Sequence, residues 1–173
     1  MGYVSTIPTP VGPFTVIAGD DDSVLASGWT DDPERLLGSI APPLVPAASP
    51  RRAGASPARD AVVAYHDGDV VAPDAVAVRY AAGPFLSAAW AALRKVAPGE
   101  LITYRELARR AGSADAVRAA GSACARNPVA LFVPCHRVAR SDGTLGGFGY
   151  GLPVKRWLLD HEGARRDPGT LPV

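Results

Sequence analysis

The sequence predicts an α+β fold in two parts: a small N-terminal sheet-plus-helix unit, then a mainly helical unit. Three observations predict it. Short β-branched and aromatic stretches separated by Pro/Gly turns come first, and a helical apolar period sets in near residue 84. The charge also changes sign between the halves: residues 1–79 carry 5 Lys and Arg against 10 Asp and Glu, residues 80–173 carry 13 against 7. The basic half suits a polyanionic partner, or its arginines are simply solvated surface. Charge alone leaves both open.

Composition limits the rest. A chain of 173 residues, 47% hydrophobic and 20% charged, buries a core as one or two small domains and is not a disordered chain. No apolar run reaches membrane-spanning length, and the first residues lack the basic-then-apolar order of a signal peptide. The expectation is a soluble cytoplasmic protein. Two cysteines, Cys124 and Cys135, make no disulfide framework, and with three scattered histidines (His66, His136, His161) they do not suggest a structural zinc site.

The elements follow in order. Tyr3–Ile7 and Phe14–Ala18 flank Pro10, Gly12 and Pro13 and read as a hairpin, with Val24–Trp29 as a third strand. Residues 41–58 hold Pro42-Pro43, Pro46, Pro50, Arg51-Arg52 and Pro57 and read as a loop or poorly ordered connector. Ala58–His66 has helical character and Asp67-Gly68-Asp69 ends it, while Val76–Arg79 could close the small sheet. After Pro84, the residues Phe85, Ala88, Ala89, Ala92, Leu93 and Val96 form one helical stripe, stopped by Pro98-Gly99. Thr103 and Glu106 have capping-box spacing and open a helix with Tyr104, Leu107, Ala108 and Ala111 on its stripe. Gly112-Ser113 leads to a third helix, about 114–126, buried through Val117, Ala120, Gly121 and Cys124. The pair reads as a helix-turn-helix. The outer face of that third helix is Arg118, Ala119, Ser122, Ala125 and Arg126. Its small residues let a backbone approach a narrow groove, or they pack on another part of the protein.

Asn127-Pro128 ends this helix, and the apolar run Val129–Val133 delivers Pro134-Cys135-His136-Arg137-Val138. A Cys beside His and Arg is where a thiol is expected to ionise into a nucleophile; a lone Cys is otherwise a small buried hydrophobe. On a strand, His136 would reach the sulfur only through a bend or a water. Cys124 is assigned to packing, Trp157 to the core stripe Val154, Trp157, Leu158 and His161, and Lys155 and Arg156 to solvent. Arg137 and Arg140 read as structural or phosphate partners. Glu162 alone reads as a surface carboxylate and His161 as a surface or capping residue.

Pro134-Cys135-His136-Arg137-Val138 resembles the active-site signature of the O6-alkylguanine-DNA alkyltransferases (methylated-DNA–protein-cysteine methyltransferases). Gly99-Glu100, Thr103-Tyr104, Leu107-Ala108, Ala116-Val117-Arg118-Ala119 and Asn127-Pro128 resemble the same family. So do Gly143, Gly147-Phe148, Gly151, Lys155-Arg156-Trp157-Leu158-Leu159 and His161-Glu162-Gly163, at matching spacings. The similarity covers about residues 80–163. In residues 1–79 only the hairpin start and Tyr65-His66-Asp67-Gly68 fit, loosely.

The resemblance implies a ribonuclease-H-like N-terminal domain over 1–79, with 41–58 as its Pro/Arg-rich loop. Residues 80–173 are then a DNA-binding and alkyl-transfer domain with a winged helix-turn-helix. It implies a DNA repair protein that flips O6-methylguanine or another O6-alkylguanine out of double-stranded DNA. The alkyl group passes irreversibly to Cys135, once per molecule, with no cofactor and no metal, by a protein that is a monomer in solution. By resemblance His136 deprotonates Cys135 through a water, Glu162 holds His136, Asn127 organises the turn and Tyr104 protonates guanine N3. Arg118 enters the duplex, with Ala119, Ser122, Tyr104 and Arg126 also on the DNA, and Val138, Phe148 and Gly149 contact the guanine. Phe148 departs from the tyrosine usual in relatives, so a hydroxyl near the substrate oxygen is missing. No Cys/His set matches the zinc site some relatives carry. The alternatives are a non-catalytic alkylation-damage sensor or helix-turn-helix DNA-binding protein, which need not keep Cys135, His136 and Glu162 together, and a cysteine hydrolase.

Overall fold

The protein is described from a computed structural model, which places residues 1–164. The chain forms two compact units: Met1–Ala81 with Pro128–Phe132, and Ala82–Asn127 with the chain from Val133 onward.

In the first unit, strands β1 (Tyr3–Ile7), β2 (Phe14–Ala18) and β3 (Val24–Gly28) form an antiparallel sheet in the order β1-β2-β3, with a register shift between Ile17 and Ala18. Helix α1 (Pro33–Leu37), which strand and turn signals did not reveal, starts at Asp32, whose carboxylate accepts from Glu34 N. Its Leu36 joins Val4, Ile17, Leu25, Ala26 and Ile40 in one buried cluster. Helix α2 (Pro57–His66) is capped by Ser56 and buries Ala58, Ala61, Val62 and Tyr65. Ser27 N donates to Pro128 O at 2.9 Å and Ser27 Oγ to Ala130 O at 2.8 Å, so residues 128–132 run along β3.

Of two expectations for this unit, the loop over 41–58 holds as far as Ser56, and the strand at Val76–Arg79 does not form. Residues 41–58 are tied to β1, not loose: Val4 N donates to Pro50 O at 3.0 Å and Arg52 N to Val4 O at 2.7 Å, and Pro42–Leu44 forms a 3-10 turn. Prolines forbid a full ladder there but leave the carbonyls free to accept. Val76–Arg79 does not become a strand. It makes one parallel bridge, Val24 to Val78, because Pro73 and the preceding 3-10 turn leave too short an extended run.

The second unit is helical. Helix α3 (Pro84–Leu93) packs through Ala89, Trp90, Ala92 and Leu93, and Trp90 Nε1 donates to Ala123 O at 2.9 Å. It ends at Leu93, earlier than the apolar stripe suggested, with Val96 buried in the turn beyond. Strand β4 (Ile102–Thr103) runs parallel to β5 (Val138–Ala139). Helix α4 (Tyr104–Arg110) and helix α5 (Val117–Ala125) form the helix-turn-helix. Only half of the capping box exists. Glu106 N donates to Thr103 Oγ1 at 3.0 Å, but the Glu106 carboxylate turns to Arg109 and Arg110. Helix α6 (Leu152–His161) buries Lys155, Leu158 and Leu159.

Candidate active site

The pairing of β4 with β5 brings together two segments that carry candidate site residues. Tyr104 follows β4 directly, and the 3-10 turn Cys135–Arg137 directly precedes β5. The turn replaces the strand expected at this point and buries three consecutive side chains: Cys135 is 8% exposed, His136 0% and Arg137 2%.

The end of α6 supplies the third member. Gly163 has φ +72°, and the bonds Ala164 N to Leu159 O (2.9 Å) and Gly163 N to Asp160 O (3.0 Å) close a Schellman motif. Glu162 is therefore the cap residue, fixed in position by a glycine that can take the left-handed conformation. Its side chain is fully buried, not on the surface. His136 Nε2 donates to Glu162 Oε1 at 2.8 Å, while Arg137 donates from Nε to Oε2 at 3.0 Å and from NH2 to Oε1 at 2.9 Å. The remaining Arg137 donor, NH1, reaches Val96 O at 2.6 Å. With Nε2 committed to the carboxylate, His136 Nδ1 is buried and has no protein partner among the described residues. It is the basic lone pair of the site.

Asn127 ties the turn from below. Its Nδ2 donates to Val133 O at 2.7 Å, its N to Cys124 O at 3.4 Å, and its side chain hydrogen-bonds the Cys135 thiol.

Lys155 departs from the solvated position that its charge suggests. It is fully buried, not solvated, and its Nζ donates to Val138 O at 2.7 Å, to Leu145 O, and to Gly147 O at 3.4 Å. The signal was present: Lys155, Leu158 and Leu159 lie at i, i+3 and i+4 and form the buried face of α6. Reading the stripe one position off put Trp157 in the core. It is half-buried instead, stacked on His161 at 4.5 Å.

The electrostatics also differ from expectation. Arg137 is spent on Glu162 and does not activate the thiol. Burial pushes the Cys135 thiol up, and the Asn127 hydrogen bond and the Lys155 charge oppose this without overcoming it. Burial also holds His136 below the usual imidazole range, so it is a neutral base near neutral pH. Glu162 is desolvated, yet His136 and the Arg137 hydrogen bonds outweigh that and keep it well below the usual carboxylate range. Burial lowers Lys155 to about 8 and, with the two thiols, pushes Tyr104 up to about 12, leaving its hydroxyl a proton donor. The site thus holds a protonated thiol and an uncharged imidazole, so any nucleophilic use of the thiol needs its proton removed first.

The remaining predicted residues fall in two places. On α5, Arg118, Ser122 and Arg126 are exposed and Ala119 is half-buried, forming one outward face. The buried contacts are Ala120 and Ala123, with Val117, Gly121 and Cys124 only half-buried. In the glycine-rich loop, Phe148 is half-buried with its ring edge to Tyr150 at 5.8 Å, and Gly149 is exposed. Val138 is buried, with its N bonded to Cys135 O and its O to Lys155. Tyr104 lies against this loop: a Cβ on Gly146 would sit 2.6 Å from the phenol oxygen. Among the described residues no three His, Cys, Asp or Glu side chains gather in a metal-holding group.

A buried Cys–His–Glu constellation behind a helix-turn-helix can be compared with known proteins. The chain is 32% identical over 159 residues to the methylated-DNA–protein-cysteine methyltransferase of Shigella flexneri, covering 91% of this chain and 93% of that one. This chain belongs to the methylated-DNA–protein-cysteine methyltransferase family. Residues 84–164 match the family described as 6-O-methylguanine DNA methyltransferase, DNA binding domain. The human methyltransferase is 50% identical over 76 residues, 44% of this chain and 37% of that one. The crystal structure of Mycobacterium tuberculosis OGT in complex with DNA aligns with TM-score 0.75 at 30% identity, covering 96% of this chain and 95% of that one. The likeness to methyltransferases therefore extends through residues 1–79, further than the motifs alone suggested.

Proposed function

We propose that this protein repairs DNA by extruding O6-methylguanine, or another O6-alkylguanine, and transferring the alkyl group irreversibly to Cys135, once per molecule. The observation that carries the reading is His136: one ring nitrogen is held by Glu162, and the other is buried and uncommitted, in the residue that follows the buried Cys135 thiol. Family membership supplies the substrate class.

The reaction balances without a cofactor. His136 Nδ1 takes the Cys135 proton through a water, Glu162 stabilises the imidazolium that forms, and Arg137 keeps Glu162 ionised. The thiolate attacks the alkyl carbon in line, an S–C bond forms as the bond to guanine O6 breaks, and Tyr104 gives its hydroxyl proton to guanine N3. Backbone groups near Val138 and Gly149, with the Phe148 ring, hold the base. Lys155 fixes the wall on which that loop rests. A thioether is not hydrolysed, so the protein ends alkylated.

Extrusion of a base costs a few kcal/mol, less for a lesion that pairs poorly. Arg118, outward on α5, fills the vacated stack, while the small Ala119 and Ser122 let the helix approach the groove. A nucleophilic thiol must remain reduced, which supports a reducing compartment such as the cytoplasm. The test is Cys135→Ser with a duplex carrying labelled O6-methylguanine. Transfer is lost and duplex affinity kept; label appearing on the variant would overturn the role of Cys135.

A further inference from the structure

A cleft of about 610 Å³ lies beside the glycine-rich loop, lined by Arg140, Gly143, Thr144, Gly147, Leu152 and Arg156, with Gly146 also on its wall. Phe148, Gly149 and Val138, which hold the guanine in the proposed reaction, do not line it. We propose that this cleft is a phosphate site, and that Arg140 and Arg156 clamp in it a phosphodiester of the DNA backbone, outside the helix-turn-helix. This rests on the DNA-repair reading above.

The argument begins with how arginines are used in this unit. Arg109, Arg110 and Arg137 each hold a carboxylate. Arg140 and Arg156 are exposed, and among the described residues neither guanidinium makes a hydrogen bond or an ion pair. The nearby charges are already engaged. Asp142 accepts from Thr144 N at 3.0 Å and Thr144 Oγ1 at 2.6 Å, and the Lys155 ammonium is enclosed by three carbonyls. Two free guanidiniums lining one cleft offer paired charged donors to an oxyanion, and a phosphodiester is the oxyanion that DNA supplies.

The cleft is also preformed. Lys155 holds its wall at Leu145 O and Gly147 O, and the turn below closes through Gly143 N to Arg140 O (3.0 Å) and Arg140 N to Thr144 O (2.9 Å). Its glycines let backbone approach a ligand closely. Gly146 abuts the Tyr104 hydroxyl, so the cleft shares a wall with the phenol of the reaction site. Its volume accommodates a phosphodiester with its flanking sugars.

The test compares wild type with the double variant Arg140→Gln/Arg156→Gln on unmodified duplex across a salt series. One lost phosphate contact lowers the slope of log affinity against log salt by about 0.9, with roughly tenfold weaker binding at low salt. Reaction with free O6-benzylguanine, which carries no phosphate, stays at the wild-type rate. The Arg140→Lys/Arg156→Lys variant keeps the slope, because the charge remains. An unchanged slope and affinity in the Gln variant, beside a salt-dependent wild type, overturns the phosphate site. A wild type whose duplex binding ignores salt overturns instead the DNA reading on which it rests. Inorganic phosphate alone raising the Tm of wild type but not of the Gln variant, with duplex affinity unchanged, would show a free-anion site and overturn the assignment to DNA.

Discussion

Arg137 and Glu162 meet at two points, Nε to Oε2 at 3.0 Å and NH2 to Oε1 at 2.9 Å, and that same Oε1 also accepts His136 Nε2 at 2.8 Å. One buried carboxylate is both counter-ion to a cation and orienter of a base. Removing one partner of such a pair strands the other charge in the interior, which costs about 3–5 kcal/mol. Glu162→Gln is therefore expected to lose stability on that scale and to slow transfer, with duplex affinity kept. The double variant Arg137→Met/Glu162→Gln loses less stability than the two single changes summed. Urea denaturation of the four proteins checks this, and strict additivity would show that the pair is not coupled.

The pH dependence follows from the directions of two shifts. His136 and Glu162 are both held below their ordinary values, so as pH falls the unfolded chain takes up protons before the folded one does. Stability then falls with pH, first below about 6.5 for the imidazole and again below about 4.3 for the carboxyl. Because His136 stays neutral below the ordinary imidazole value, the acid limb of the transfer rate is expected below about pH 6.5. Single-turnover rates with free O6-benzylguanine locate it; a limb at or above 6.5 would contradict a depressed His136.

Lys155 gives a prediction of opposite emphasis, on architecture. Lys155→Met keeps the stem but leaves the carbonyls of Val138, Leu145 and Gly147 without their donor. An unsatisfied buried acceptor costs about 1–3 kcal/mol, so a loss of at least about 2 kcal/mol is expected, with slower transfer. The folded lysine titrates at about 8, so between there and its unfolded value of about 10.4 the unfolded chain holds more protons. The stability difference between wild type and variant should accordingly move in favour of wild type as pH rises through that window. Denaturation at pH 7.5 and 9.5 measures it.

Arg118 separates extrusion from chemistry. It is exposed on α5 and touches none of the reacting residues in the hydrogen bonds of the site. Arg118→Ala is expected to slow repair of a paired O6-methylguanine by tenfold or more, on the order of the stacking an inserted side chain replaces, and to leave free O6-benzylguanine reacting normally. Equal losses on both substrates would remove Arg118 from extrusion.

Where the sequence was legible, the signal was strong and local. β1 and β2 carry β-branched and aromatic residues bounded by turn residues and are legible to the residue, while the helical stretch from Ala58 begins one residue inside α2, whose Ser56 cap and Pro57 fall within the expected loop. The buried face of α5 was harder because alanine, glycine and serine fill all its sides, so the apolar period has little amplitude. Lys155 was missed for a different reason. Its charge argued for solvent, whereas the carbonyl of Val138 in β5 and those of Leu145 and Gly147 in the glycine-rich loop supply the partners that make its burial tolerable. The thiol environment was misread because adjacency in sequence placed Arg137 beside Cys135, while the 3-10 turn sends its guanidinium to Glu162. Glu162 read by itself is a surface carboxylate; the family pattern pairs it with His136, as the structure has it, and the turn at Gly163 is what buries it.

The most direct measurement is intact-protein mass after mixing with a duplex that carries one O6-methylguanine. A single gain of about 14 Da, one methylene, mapped to Cys135 and stopping at one equivalent, is the predicted result for nucleophilic displacement onto that thiol. No gain in mass despite tight binding of the lesion would contradict it and leave a protein that recognises alkylated DNA without repairing it.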